Sequence, residues 1–111
     1  MDPTIIHYFD YKSPYAYIAQ AALFRLSDAK IINVECRPYT LDIPSYLGSA
    51  EVNYRGEVIT QSRNKHQWRR VKYAYMDCRR EANRRGLTLR GPRKIFDSTI
   101  AHMGFLFAQR H

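Results

Sequence analysis

The chain begins with a block of β-branched and aromatic residues, which is followed by a polar break and a long apolar run. The block from Thr4 to Phe9 is apolar on both faces apart from His7, and this favours a buried strand. The run from Tyr15 to Leu26 is rich in alanine and apolar side chains, as is typical of a largely buried helix. Ser13 and Pro14 lie at the break, where a serine N-cap and a proline at the first helical position mark a helix start.

A second strand follows the predicted helix. Apolar and polar side chains alternate from Ile31 to Arg37, with Ile32, Val34 and Cys36 on one face. Strand, helix and strand at this spacing predict a βαβ unit over residues 1–37, with a right-handed crossover.

The middle of the chain contains a loop and then the clearest helical pattern. Prolines and glycines without a sustained period predict a loop up to about Gly56, with a short helical turn near Ile43–Leu47. From Gln61 to Arg85, apolar residues recur at helical spacing and form one narrow face. That face consists of Trp68, Val71, Tyr75, Cys78 and Ala82. Gly86 follows as the residue expected just beyond a helix C-terminus.

A last helix is predicted from Thr99 to Arg110, with Asp97 or Ser98 as its cap. We expect its inner side chains to be Ile100, Met103, Leu106 and Phe107. Because this helix is apolar on most sides, we expect its surface to be covered by other protein.

Length, composition and charge limit the classes of function that this chain can have. The 111 residues allow one domain at most, and no apolar run approaches the roughly 20 residues that a membrane span needs. Residues 63–94 hold 12 of the 18 Lys and Arg residues but only two acids. Such a basic stripe attracts anions of any kind, including nucleic acid and small carboxylates.

The cysteines and histidines show no metal-ligand spacing, so no metal site is predicted. Cys36 and Cys78 are far apart in sequence, and we expect both to be reduced, buried thiols. Together with the lack of a signal-peptide pattern, this favours a cytoplasmic protein. His7 is expected to be a hydrogen-bonded core residue.

Two stretches carry a family resemblance. Residues 9–17, Phe-Asp-Tyr-Lys-Ser-Pro-Tyr-Ala-Tyr, resemble the opening of the 2-hydroxychromene-2-carboxylate isomerases. These enzymes are relatives of kappa-class glutathione transferases in the DsbA-like branch of the thioredoxin superfamily. Residues 67–73 and 83–89 resemble a second block of the same family. The resemblance implies an α/β fold, in which a thioredoxin-like βαβ unit is followed by part of a helical insertion over residues 61–111.

The resemblance also implies a function. Where the superfamily usually has Cys-x-x-Cys, this chain has Ser13-Pro14-Tyr15-Ala16, so the thiol would come from bound glutathione. Its thiolate would add to an unsaturated aromatic keto acid; ring opening, rotation and elimination would then return glutathione. The implied catalytic residue is Ser13, which would hydrogen-bond the thiolate. Asn64, Arg70 and Tyr73 would join it in binding glutathione, and Pro14 and Tyr15 would line the substrate pocket.

Complete family members continue through further helices to a C-terminal strand hairpin, so the resemblance covers only the N-terminal half of their fold. We therefore expect one partial domain over residues 1–111 that self-associates, in a dimer that can be domain-swapped. Two other functions stay open. One is a truncated, non-catalytic fragment, and the other, less favoured, is a nucleic-acid-binding module built on the basic helix. No membrane partner is expected.

Overall fold

Two parallel strands and the helix that connects them form the first part of the structure. The computed structural model describes residues 2–111. The strands are β1 (Thr4–Phe9) and β2 (Asn33–Pro38), and the helix between them is α1 (Pro14–Asp28). The strands pair in parallel, with Thr4 opposite Asn33 and Phe9 opposite Pro38. The predicted βαβ unit is therefore confirmed, within two residues at each boundary.

The βαβ unit and the last helix, α4 (Thr99–Arg110), belong to one compact unit, made of residues 2–40 and 97–111. Its apolar core contains the buried side chains of Phe9, Ile18 and Ile32. The aromatic ring of Phe105 meets that of Phe9 edge-on, with 4.9 Å between ring centroids. This edge-to-face contact holds α4 against the end of β1.

The inner face predicted for α4 is wrong. Ile100, Met103 and Phe107 are 83%, 64% and 67% exposed, whereas His102 is only 4% exposed and Phe105 is half-buried. His102 faces inward because its ring nitrogens form hydrogen bonds with Tyr11, in the turn after β1, and with Thr40, just after β2. A polar network, rather than apolar character, therefore selects the packed face of this helix.

The second compact unit spans Leu41–Phe96. It begins with the short helix α2 (Pro44–Leu47), continues through an antiparallel hairpin of β3 (Ala50–Val52) and β4 (Val58–Gln61), and contains the long helix α3 (Lys65–Arg84). Trp68, Val71 and Tyr75 are half-buried on α3, and Cys78 and Ala82 are fully buried. The apolar face predicted for this helix is confirmed.

The start predicted for the long helix is wrong by four residues, because Gln61 ends β4 and α3 begins at Lys65. Asn64 and Gln67 form a reciprocal capping box that fixes this start. At the other end, Gly86 has a φ of 71° and Leu87 N–H bonds to Ala82 C=O at 2.9 Å. This Schellman geometry confirms Gly86 as the residue beyond the C-terminus.

His7 is buried as predicted, at 9% exposed, but its Nε2 has no hydrogen-bond partner among residues 2–111. Its ring stacks on Phe9, with 5.9 Å between centroids. The ring therefore fits the strand as an aromatic side chain, and the expectation that it is hydrogen-bonded is not met at Nε2.

Within residues 2–111, no helix combines the length and the apolar character that crossing a membrane requires.

Candidate functional site

The turn between β1 and α1 places a serine hydroxyl at the mouth of a 15-residue helix. Ser13 is the N-cap of α1, and its Oγ accepts a hydrogen bond from Ala16 N–H at 3.2 Å. Ser13 N–H in turn donates to Asp10 C=O at 2.8 Å, which closes the turn. Pro14 occupies the first helical position, as predicted. The polar break in the sequence thus becomes a tight turn with a defined N-cap.

The hydroxyl proton of Ser13 is available to a ligand. A serine hydroxyl has one donor and two acceptor positions, and here an acceptor position is used by the cap. Within residues 2–111, no group accepts a hydrogen bond from Ser13 Oγ. Because the side chain is only half-buried, a bound group can reach this donor. The helix N-terminus adds a partial positive charge that favours an anion at the same place.

A buried ionic cluster fixes the residues just before Ser13. Lys12 Nζ donates to Asp10 Oδ2 at 2.6 Å and to Ser98 Oγ at 2.8 Å. Asp10 Oδ1 also accepts from Lys12 N–H at 3.0 Å. The carboxylate thus receives donors from the backbone and the side chain of the same residue, which fixes the chain just before Ser13.

His102 connects this cluster to α4. Its Nε2 accepts from Tyr11 N–H at 3.2 Å and lies 3.4 Å from Asp10 Oδ1, and its Nδ1 is 2.7 Å from Thr40 Oγ1. With Nε2 as an acceptor, the neutral ring carries its proton on Nδ1 and donates it to Thr40. His102 therefore supports the backbone of the turn rather than reaching a ligand.

The start of α4 is organised by Asp97, not by the side chain of Ser98. Asp97 Oδ1 accepts from Thr99 Oγ1 at 2.6 Å and from Thr99 N–H at 3.0 Å. These hydrogen bonds hold the pKa of the Asp97 carboxyl below its ordinary value. Ser98 occupies the N-cap position, but its hydroxyl is used by Lys12 instead.

The remaining predicted site residues lie in the second unit. Asn64 caps α3 through Oδ1, which accepts from Gln67 N–H at 2.8 Å. Arg70 is exposed and forms no salt bridge among residues 2–111, and Tyr73 is 59% exposed. The first unit brings Ser13, Pro14 and Tyr15 together at one turn. The second unit places Asn64 at the N-cap of α3, and Arg70 and Tyr73 in the first half of that helix. The roles assigned to these six residues stay predictions.

The sequence pattern did not predict the cluster formed by Asp10, Lys12, Thr40, Ser98 and His102. Its members are far apart in the chain: Lys12 and Ser98, which are hydrogen-bonded, are separated by 86 positions. The one local signal was a pair of opposite charges, Asp10 and Lys12, directly after a buried apolar strand.

The cysteines lie outside the turn. Both thiols are reduced; Cys78 is buried as expected, whereas Cys36 is only half-buried. Its partial burial raises the pKa of the Cys36 thiol. Among residues 2–111, no group of three or more His, Cys, Asp or Glu side chains is arranged to hold a metal ion.

A comparison of the sequence with protein families identifies the family of this chain. Residues 4–111 match the family model of the DSBA-like thioredoxin domain. The chain belongs to this family. The fold is thus a mixed α/β one, consistent with a fragment of the thioredoxin-like fold. Comparisons with curated proteins and with solved structures gave no match. In this DsbA-like domain, the turn that begins the first helix contains no cysteine.

Proposed function

We propose that this DsbA-like chain acts with glutathione, as an isomerase of the 2-hydroxychromene-2-carboxylate type or as a kappa-like glutathione transferase. The observation that carries the proposal is the serine at the N-cap of α1. The protein has no thiol at this turn, so a DsbA-like exchange reaction would lack its nucleophile. A hydroxyl donor at a helix N-terminus is suited to binding a thiolate that comes from another molecule.

The residues present fit glutathione at this turn. Bound glutathione would supply the nucleophilic thiolate that the chain lacks. Ser13 Oγ–H has no acceptor among residues 2–111 and is free to donate to that sulfur. The helix N-terminus favours the ionised form of a thiol, because it stabilises negative charge.

The other residues would orient ligands. The buried Asp10–Lys12 pair keeps the backbone before Ser13 in one conformation, so the Ser13 oxygen is held in a fixed position. Arg70 would hold a carboxylate, since a guanidinium group can donate two parallel hydrogen bonds to its oxygens.

The test is a calorimetric titration with glutathione of three proteins: the full wild-type chain, Ser13→Ala and Ser13→Thr. Alanine removes the hydroxyl, whereas threonine keeps both the donor and the capping acceptor. We expect Ser13→Ala to weaken binding and to reduce the thiolate absorbance of bound glutathione, and Ser13→Thr to retain both. Circular dichroism of each variant shows whether α1 is intact. Equal thiolate absorbance in the wild type and in folded Ser13→Ala would contradict the proposal.

A second candidate is a non-catalytic chain that self-associates. The exposed apolar side chains of α4 favour it, because Ile100, Met103 and Phe107 form a surface that water solvates poorly. A homodimer would cover this face. Analytical ultracentrifugation over a range of concentrations tests it, and a monomer at every concentration would contradict it.

A further inference from the structure

A pocket in the second unit lies between the β3–β4 hairpin and the first two turns of α3. Its volume is about 620 Å³, and it is open to solvent. Here it is called the hairpin pocket, and it is lined by Val52, Gly56, Val58, Lys65, Trp68, Arg69 and Lys72. Small-molecule sites usually measure roughly 300–1,000 Å³ and combine apolar walls with a few polar groups. The hairpin pocket has this size and composition.

The pocket concentrates positive charge without any acidic side chain in its lining. Lys65, Arg69 and Lys72 are spaced so that they lie on one side of α3. None of the three forms a salt bridge among residues 2–111. In the second half of the same helix, by contrast, Arg80 pairs with Asp77 at 3.0 Å and Arg84 pairs with Glu81 at 2.9 Å.

Like charges on adjacent turns repel one another and are mildly destabilising in a helix. In the second half of α3, Asp77 and Glu81 offset the repulsion between the arginines. The first half of the helix contains no acidic residue, so the repulsion between its cations is not offset. An anionic ligand in the pocket would supply the missing negative charge. Arg69 can donate two parallel hydrogen bonds to a carboxylate or phosphate, and the ammonium groups of the two lysines add positive charge beside it.

The indole of Trp68 forms the apolar wall of the pocket and is held in place. Its Nε1–H donates to Gln61 Oε1 at 3.0 Å, and the guanidinium of Arg63 lies 4.9 Å from the ring centroid. Lys72 Nζ lies 6.0 Å from the same centroid, so a cation and an aromatic surface are adjacent. The two valines of the hairpin extend the apolar surface.

From this arrangement we infer that the hairpin pocket binds a small molecule that combines an aromatic ring with a carboxylate or phosphate group. The ring would lie against Trp68 and the valines, and the anionic group would be held by Arg69 with Lys65 and Lys72. None of the residues proposed to bind glutathione lines this pocket, so the inference does not depend on the proposed function.

Naphthoate is a suitable probe, with naphthylmethanol as a neutral molecule of the same ring and acetate as an anion without a ring. Trp68 is the only tryptophan of the chain, so its indole N–H gives a single, assigned NMR signal. We expect naphthoate to shift this signal in a saturable titration, and both control molecules to bind about tenfold more weakly or not at all, since charge and ring act together.

Two matched variants separate the pocket from the overall charge. Arg69→Gln with Lys72→Gln removes two cations from the pocket, whereas Arg90→Gln with Lys94→Gln removes two cations of the same unit outside it. We expect the first pair to weaken naphthoate binding about tenfold or more, because hydrogen bonds to a charged group are stronger than neutral ones. We expect the second pair to have little effect.

Equal weakening by the two pairs, equal affinity for naphthylmethanol, or an unmoved indole signal would each overturn the inference. A single-stranded oligonucleotide that displaces naphthoate at lower concentration, with a steep dependence on salt, would also overturn it in favour of a nucleic-acid site. Ser13→Ala serves as a further control: it lies outside the pocket, so naphthoate binding should persist even if glutathione binding is lost.

Discussion

The ammonium group of Lys12 donates a hydrogen bond of 2.6 Å to the carboxylate of Asp10, and the two side chains are only 12% and 1% exposed. Removing one charge of a buried pair costs more than removing one charge of an exposed pair, because water screens a buried charge poorly. The pair lies immediately before Ser13, so its geometry sets the backbone that presents the serine hydroxyl.

We expect Lys12→Met to lower the free energy of unfolding by about 3 kcal/mol, because it leaves the buried Asp10 carboxylate without its ammonium partner. The double variant with Asp10→Asn should lose less than the sum of the single effects, since both charges are then absent. Urea unfolding measures these values, and Lys30→Met, at an exposed lysine, is the control. Additive losses in the double variant would show that the two groups are not coupled.

The packed face of α4 is testable with two phenylalanines on the same helix. Phe105→Ala should cost about 2 kcal/mol or more, because Phe105 is half-buried and meets the ring of Phe9. Phe107→Ala should change stability by about 0.5 kcal/mol or less, as expected for an exposed surface position. Thermal unfolding of dilute protein compares them. A larger loss at Phe107 would mean that the opposite face of the helix is the covered one.

Asn64 has a structural role and a proposed binding role, and one substitution separates them. Asn64→Ala should destabilise the protein by about 1 kcal/mol, since the cap of α3 is lost. Asn64→Ser keeps a good N-cap and should stay within about 0.5 kcal/mol of the wild type, yet it removes the side-chain amide. If this amide contacts glutathione, as the family resemblance implies, Asn64→Ser binds glutathione more weakly in calorimetry. Unchanged affinity would restrict Asn64 to capping.

The ionisation of Asp97 makes the free energy of unfolding depend on pH in the acidic range. The hydroxyl and the N–H of Thr99 lower the pKa of its carboxyl from an ordinary value of 3.8. The folded state therefore binds this proton less tightly than the unfolded state does, and its stabilisation is fully present above that value. It is lost as the pH falls through the lower, folded pKa. Thr99→Val should return the pKa of Asp97 toward 3.8 in an NMR titration. An unchanged titration curve in Thr99→Val would contradict this cause.

The two thiols should differ from a free cysteine in their reaction with iodoacetamide. Burial raises the pKa of the Cys36 thiol above 9.0, so little thiolate is present at neutral pH and alkylation should be slow. Cys78 is 0% exposed and should react only after unfolding. Mass spectrometry of native and urea-treated protein checks both. Rapid labelling of native Cys78 would show that α3 opens in solution.

The elements that the sequence predicted correctly are those that local chemistry specifies. A serine–proline start, an apolar run and a glycine beyond the last turn depend on neighbouring residues, so α1, the apolar face of α3 and the C-terminus at Gly86 could be read directly. The strands of the βαβ unit were also predictable, because burial leaves a periodic pattern of apolar residues.

The β3–β4 hairpin was not predictable in this way. Its strands have three and four residues, and all four residues of β4 are exposed, so burial left no alternation to detect. The pairing of β4 with β3 and the capping box at Asn64 together prevent α3 from beginning before Lys65.

The sequence by itself determined that Ser13 begins a helix directly after a strand and that cations dominate residues 63–94. Tertiary structure alone decided that His102 and Phe105, rather than Ile100 and Met103, face inward on α4. It also brought the β3–β4 hairpin and the first two turns of α3 together around the hairpin pocket. The physical reason is the same in both cases. A pattern along the chain records which side chains avoid water, whereas the partner of a buried charge, or the absence of one, depends on residues that meet only after folding.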